Sequence, residues 1–398
     1  MKVLAVFGTR PEAIKMAPVV AALREAPGVT VRVCVTGQHR SMLDSVLRTF
    51  AIMPDDDLAV MRSDQGLSHV FARIMGGLDP ILESWRPDYA LVQGDTATST
   101  AAALAAFHRR VPVGHVEAGL RTGNIESPWP EEANRRLTAV VAARHYAPTE
   151  GARRALLAEG YPDSAIRVTG NTVIDALLRC REANARNPEV KARMRAQLGD
   201  IVPGKRLVLV TGHRRESFGG GFENICAALA ILARRPDVQI VYPVHLNPNV
   251  RGPVFARLGA NPAIRLIEPL DYPDFVQLMD ACDLILTDSG GIQEEAPALR
   301  KPVLVMRDTS ERPEAIEAGV ARLVGTDTAA IVAGVTDLLD HPRRYAAMAS
   351  GATPYGDGYA SRRIVSDLLA SRPAALPEPE FMPVAMMAER ALQIAAAP

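Results

Sequence analysis

The feature that most constrains the fold is a recurring unit: a short apolar run, closed by glycine or a turn, followed by residues at helical spacing. Lys2 to Gly8 is the first instance, and its unbroken apolar stretch reads as a strand buried on both faces of a parallel sheet. Behind it, Ile14, Val19, Val20 and Leu23 share one helical face. The same reading predicts strands at Val31–Thr36, Tyr89–Gln93, Val111–Val116 and His145–Ala147, with helices between them at Thr98–Arg109 and Glu131–Ala142. Alternating strands and helices imply a parallel sheet. The rhythm then restarts, with strands at Arg206–Thr211, Gln239–Pro243, Ile264–Ile267, Leu284–Thr287 and Val303–Val305. Helices at Phe222–Ala233, Tyr272–Ala281, Gln293–Leu299 and Ala329–Leu339 separate them. The expected fold class is therefore α/β, with two Rossmann-like doubly wound units in tandem. Their boundary is expected near Gly170–Asn171 or in the stretch up to Pro203 and Gly204, and is drawn at 170/171, so that residues 1–170 form the first unit.

Composition narrows the partners. The 398 residues suit two or three domains, and 45 basic residues cancel 45 acidic ones. That balance argues against a nucleic-acid or membrane-surface partner while leaving room for a local basic pocket. The four cysteines are scattered and form no CxxC pair, which speaks against a structural zinc or redox dithiol and suits reduced, buried thiols. The opening apolar run is too short for a signal peptide, and no stretch approaches the ~20 apolar residues of a membrane helix. A cytoplasmic location is expected.

Six segments sit where strands give way to helices, the edge at which open α/β sheets bind ligands. Gly8, Thr9, Arg10, Pro11 and Glu12 follow the first strand; Thr9 and Glu12 have capping-box spacing, and Arg10 and Lys15 add positive charge near a helix N-terminus. The pattern is neither GxGxxG nor a P-loop. Gln93, Gly94, Asp95 and Thr96 end a buried strand; Asp95 either reaches the crevice or caps the next helix. Glu117, in GHVEAGLRT, ends another, and a carboxylate at that depth needs a partner or a raised pKa. A salt bridge to Arg121 and an acid–base role both answer that need. In SPWPEEANR, Glu131 opens a helix and Arg135 lies four residues on, either as a solvated pair or as cleft residues. His213, Arg214 and Arg215 precede three glycines, a set that suits a diphosphate. Last, Ser289, Gly290 and Gly291 turn tightly enough for backbone N–H groups to meet phosphate, and Glu295, one turn later, is placed to accept ribose hydroxyls. Carboxylates thus gather in the first unit and anion-binding features in the second.

Together, VFGTRPEAIKMAP, GHVEAGLRTG, SPWPEEANR, VTGHRRESFG, YPVHLNPNV and DSGGIQEEAP resemble the non-hydrolysing UDP-N-acetylglucosamine 2-epimerases of bacterial type, from Met1 to about Leu369. The resemblance implies the glycosyltransferase-B architecture, two Rossmann-like domains around a cleft. It places the nucleotide-binding domain at 171–355 and a last helix at 356–370 returning to the first, and leaves 371–398 as a Pro-rich tail outside the match. It implies a homodimer acting on a UDP-sugar, with no metal and no nicotinamide. By position, Asp95, Glu117, Glu131 and His213 match the catalytic set and Arg135 an active-site arginine. Arg10, Lys15, Ser289, Gly290, Gly291, Glu295 and Arg312 match nucleotide-binding positions, and Phe275 a uracil-side residue. Gln93 departs from the histidine often found before the Gly-Asp pair. Gln38 and His39 match part of an effector segment found in some members, from which Ser41 departs. A glycosyltransferase or a hydrolysing epimerase of the same architecture is the alternative.

Overall fold

The computed structural model describes residues 1–38, 40–62, 65–198 and 202–371. His39 and the tail from Arg372 lie outside the described residues.

Two all-parallel sheets account for the architecture. The first comprises β1 (Lys2–Phe7), β2 (Thr30–Val35), β3 (Asp56–Asp57), β4 (Tyr89–Gln93), β5 (Val113–Val116), β6 (Arg144–Ala147) and β7 (Ile166–Val168). Its seven strands run in the order β3-β2-β1-β4-β5-β6-β7. The second comprises β8 (Arg206–Thr211), β9 (Val238–Pro243), β10 (Ile264–Ile267), β11 (Leu284–Thr287), β12 (Val303–Val305) and β13 (Ala321–Leu323), in the order β10-β9-β8-β11-β12-β13. In each sheet the order reverses beside the first strand, which opens a crevice at the strands' C-terminal ends. The central strands are largely apolar because both faces are covered: Val3, Ala5 and Phe7 of β1 are 0% exposed.

All ten strands expected from the sequence form, shifted by at most two residues. The three not anticipated, β3, β7 and β13, are two- or three-residue strands of which β3 and β7 close the two edges of the first sheet and β13 one edge of the second. An edge strand covered on one side carries no long apolar run, so periodicity has nothing to detect.

The helix Thr172–Arg186 ties the halves together. It packs on Arg10–Glu25 of the first half and on Tyr272–Ala281 and Gly290–Ala298 of the second, within one continuous apolar core. The final helix forms at Ala360–Ala370, starting a few residues later than the Gly356 expected, and rests on Arg10–Glu25 and Thr172–Arg186. Asp175, buried in the second of these, caps it by accepting from the N–H groups of Ala360 (3.1 Å) and Ser361 (2.8 Å). Among the described residues no helix is long and apolar enough to cross a membrane.

Candidate active site

A cleft of about 500 Å³ opens at the C-terminal ends of β1, β4 and β5, roofed by the second half. Lys15, Asp95, Glu117, Glu131 and Arg135 line it from one side, Arg214, Glu311 and Arg312 from the other. The local rules that put them there are legible residue by residue. Thr9 caps Arg10–Glu25 through the expected capping box, and Glu12 closes it, accepting from Gly8 N (2.9 Å) and Thr9 N (2.7 Å). Thr96, rather than Asp95, caps the helix Ala97–His108, which leaves Asp95 free to face the cleft.

Glu117 is the centre of the arrangement. It follows β5 with φ at 63°, a left-handed conformation that a glutamate adopts only at a cost of roughly 1–3 kcal/mol. Gly119 two residues on must be glycine, since a Cβ would lie 2.4 Å from the carbonyl oxygen of Ala152 at φ +89°. The turn buries the Glu117 side chain among donors. Lys15 Nζ approaches its two oxygens at 2.7 and 2.5 Å, Asn171 Nδ2 donates to Oε1 at 3.2 Å, and Gln93 Nε2 donates to Oε2. Burial pushes this carboxyl up, but Lys15 and Arg312 beside it outweigh burial and hold it below the usual range. The partner is therefore Lys15 and not Arg121, which instead grips Glu159 at 2.7 and 2.8 Å.

A second carboxylate, Glu294, lies behind the first. Asn171 Nδ2 donates to its Oε2 at 2.6 Å and Arg312 Nε to its Oε1. Burial raises its pKa, against the pull of Arg312 and Lys15 and with that of Glu117. Two carboxylates and two cations thus form one buried, neutral cluster that spans both halves.

Arg135 does not pair with Glu131, as i,i+4 spacing allowed. It donates to Asp95 Oδ2 and, through Nη1, to the buried Glu132 at 3.2 Å. Glu131 stays in the cleft wall with its own side chain unclaimed by Arg135.

Gln38 also lines the cleft, whereas Arg10, His213, Phe275, Ser289, Gly290, Gly291 and Glu295 lie beside it. His213 Nδ1 is 3.2 Å from Asp288 Oδ1, while the backbone N–H groups of His213 and Arg214 donate to Asp288 Oδ2 at 2.7 and 2.8 Å. Ser289 stands at the N-cap position of Gly290–Ala298 without a side-chain capping bond, and a Cβ on Gly290 would sit 3.8 Å from both the Arg214 and the Arg312 guanidinium groups. Gly291 borders Glu295, whose Oε2 accepts from the Tyr272 hydroxyl at 3.1 Å. Burial lifts the Glu295 pKa to about 7. Arg10 makes itself felt electrostatically at Tyr272 and Glu295, and Phe275 packs on the core one turn along from Tyr272. So the turn of the second half joins the Glu117 cluster through Glu294, Arg312 and Arg214. Asn171, Asp288, Glu294 and Tyr272 were not picked out from the sequence. A polar residue at the start or end of a strand–helix turn was the available signal for Asp288, and none pointed to the others.

Known proteins show the same construction. The family model described as UDP-N-acetylglucosamine 2-epimerase matches residues 21–369. The UDP-N-acetylglucosamine 2-epimerase of Escherichia coli (strain K12) is 58% identical over 373 residues, covering 94% of this chain and 99% of the relative. That of Yersinia pestis is 58% identical over 369 residues, covering 92% and 98%. The crystal structure of UDP-GlcNAc 2-epimerase from Neisseria meningitidis bound to UDP-GlcNAc has a TM-score of 0.87 at 50% identity, with 93% and 100% of the two chains covered. The Methanocaldococcus jannaschii UDP-GlcNAc 2-epimerase in complex with UDP-GlcNAc and UDP has a TM-score of 0.80 at 32% identity, covering 93% and 100%.

Proposed function

The chain belongs to the UDP-N-acetylglucosamine 2-epimerase family, and from that premise we propose that it interconverts UDP-N-acetylglucosamine and UDP-N-acetylmannosamine, epimers at carbon 2 of the sugar. The observation that carries the reading is Glu117, an ionised carboxylate held by Lys15 at 2.5 Å in a cleft that also presents Asp95, Glu131 and three arginines.

The chemistry follows from the substrate. The C2 hydrogen is not acidic, so direct abstraction is closed. Breaking the bond from C1 to the diphosphate oxygen gives C1 positive character and labilises the C2 proton. Anti elimination then yields UDP and 2-acetamidoglucal; UDP adds back to C1 while C2 takes a proton on the opposite face. Two faces require two proton carriers, and Asp95, Glu117 and Glu131 supply the carboxylates. The departing diphosphate gains charge as the bond breaks. Arg214, Arg312, His213, Arg10 and the amides of Ser289, Gly290 and Gly291 answer it, one such group being worth ~3 kcal/mol at a transition state. Glu295 takes the ribose hydroxyls and Phe275 the uracil side. The cleft must stay closed while the glucal exists, since its escape ends the reaction as hydrolysis.

In this reading residues 1–170 carry the acid–base groups, 171–355 bind the nucleotide, and 356–370 return to the first domain. The enzyme works as a homodimer in the cytoplasm. The test is proton NMR with UDP-N-acetylglucosamine alone in heavy water. UDP-N-acetylmannosamine carrying deuterium at C2 is expected. Retention of the original hydrogen refutes elimination, free sugar marks a hydrolysing epimerase, and no N-acetylmannosamine product marks a glycosyltransferase.

A further inference from the structure

Asn171 stands where the chain leaves β7 for the second half, and where the chain later comes back. Its backbone N–H donates to the Tyr355 carbonyl at 2.6 Å, joining the outgoing crossover to the returning one. The two pass so closely at Gly170 and Gly356 that a Cβ on Gly170 would lie 3.2 Å from the Gly356 Cα. The side chain is buried and every polar atom on it is engaged. Oδ1 caps Thr172–Arg186 by accepting from Val173 N at 3.1 Å. Nδ2 donates at once to Glu117 of the first half, at 3.2 Å, and to Glu294 of the second, at 2.6 Å.

We infer that Asn171 is a positioning residue for Glu117, its amide pinning that carboxylate to Glu294 so that Glu117 keeps its reactive orientation only while both halves are seated on the shared crossover. The inference rests on the reading of Glu117 as a proton carrier. The residue type fits the task. An amide offers two hydrogens in a fixed plane and no charge, so it bridges two carboxylates without upsetting a cluster that Lys15 and Arg312 already neutralise. A hydroxyl has one hydrogen to give, and an ammonium adds a charge with no counterpart. Glu117 also needs holding, because its left-handed backbone conformation is not self-supporting.

The charged and titratable groups that face Glu117 are Lys15 from Arg10–Glu25, Arg312 from the loop after β12, Glu294 from Gly290–Ala298 and His115 from its own strand, and Gln93 of β4 adds a neutral donor. None of them changes in N171S or N171D. Both variants also keep an oxygen to cap Val173, as Ser and Asp are good N-caps, but neither can donate to two carboxylates. Losing a donor to an ionised carboxylate raises its pKa, so the acid limb of the pH profile moves to higher pH, by about one unit in N171S and further in N171D, which adds a third carboxylate.

The experiment measures kcat and kcat/KM against pH for wild type, N171S and N171D, with UDP affinity by calorimetry and Tm alongside. The expected result is a fall in kcat of about 10²-fold, as for a misplaced catalytic group, with the acid limb shifted upward and UDP affinity within about threefold of wild type. A lowered Tm with unchanged kcat and an unmoved acid limb overturns the inference, leaving Asn171 as a helix cap only. If N171S does not fold, N171D decides; if neither folds, the role is structural and the inference fails. A wild-type protein that does not epimerise UDP-N-acetylglucosamine overturns the functional reading and this inference together, whereas an active wild type with unmoved variants overturns this inference alone.

Discussion

Replacing Lys15 with methionine isolates the interaction on which the Glu117 site depends. Lys15→Met keeps the length and apolar stem of the side chain and removes only the charge. In the wild type the ammonium lies 2.7 and 2.5 Å from the two carboxylate oxygens, and the side chains are 16% and 4% exposed. Removing one partner of a buried pair costs roughly 3–5 kcal/mol, because the other charge is stranded. Gln93, Asn171 and Arg312 remain beside Glu117, which favours the lower end, about 3 kcal/mol at pH 8.

The loss depends on pH, and its sign follows from linkage. Wild-type Glu117 has its folded pKa below the unfolded value. Its contribution is therefore complete above the unfolded value, near 4.5, and flat from pH 5.5 to 8. In the variant, burial raises the folded pKa instead. The folded state then holds a proton that the unfolded state releases, and stability falls by about 1.4 kcal/mol per pH unit until the raised pKa is passed. The defect should be largest at pH 8 and smaller, by about 1 kcal/mol or more, at pH 5.5. Thermal melts of ligand-free wild type, K15M and K15M/E117Q at both pH values read this directly, with about 3 kcal/mol appearing as a drop of roughly 4 °C. The double variant should regain much of the loss, since no charge is left stranded. A K15M defect under about 1 kcal/mol at pH 8, equal to that at pH 5.5, would refute the argument.

Three further outcomes are expected. Glu117→Gln should abolish epimerisation and C2 deuterium exchange while UDP still binds in calorimetry; full activity would remove Glu117 from the proton transfers. Glu295, with its pKa lifted to about 7, destabilises the ligand-free fold progressively between about pH 4.5 and 7, so Glu295→Gln should raise Tm at pH 8, leave it nearly unchanged at pH 4.5, and weaken UDP binding. Ending the chain after Ser371 should leave turnover intact, as the family match stops at residue 369, and a large loss would assign the tail a role.

The sequence carried the architecture because a strand buried on both faces must be mostly apolar, and the central strands of both sheets follow that rule, with His115 and Gln93 as buried exceptions. It also carried the local turns: the Thr9–Glu12 capping box and the Ser289–Gly291 turn each depend on residues a few positions apart. Edge strands such as Asp56–Asp57 escaped it, since covering one side asks little of side-chain pattern.

Which charge meets which was decided only by the tertiary structure. Glu117 had Arg121 four residues away in sequence, yet its partner is Lys15, 102 residues distant. Arg135 had Glu131 on its own helix, yet it holds Asp95. Glu294 and Asn171 carried no local sign that they would meet Glu117, although they complete the cluster. Chain propensity acts over a few residues, whereas a buried ion pair forms between whichever groups two packed sheets bring within about 3 Å, where a desolvated charge must find a partner or give up its proton.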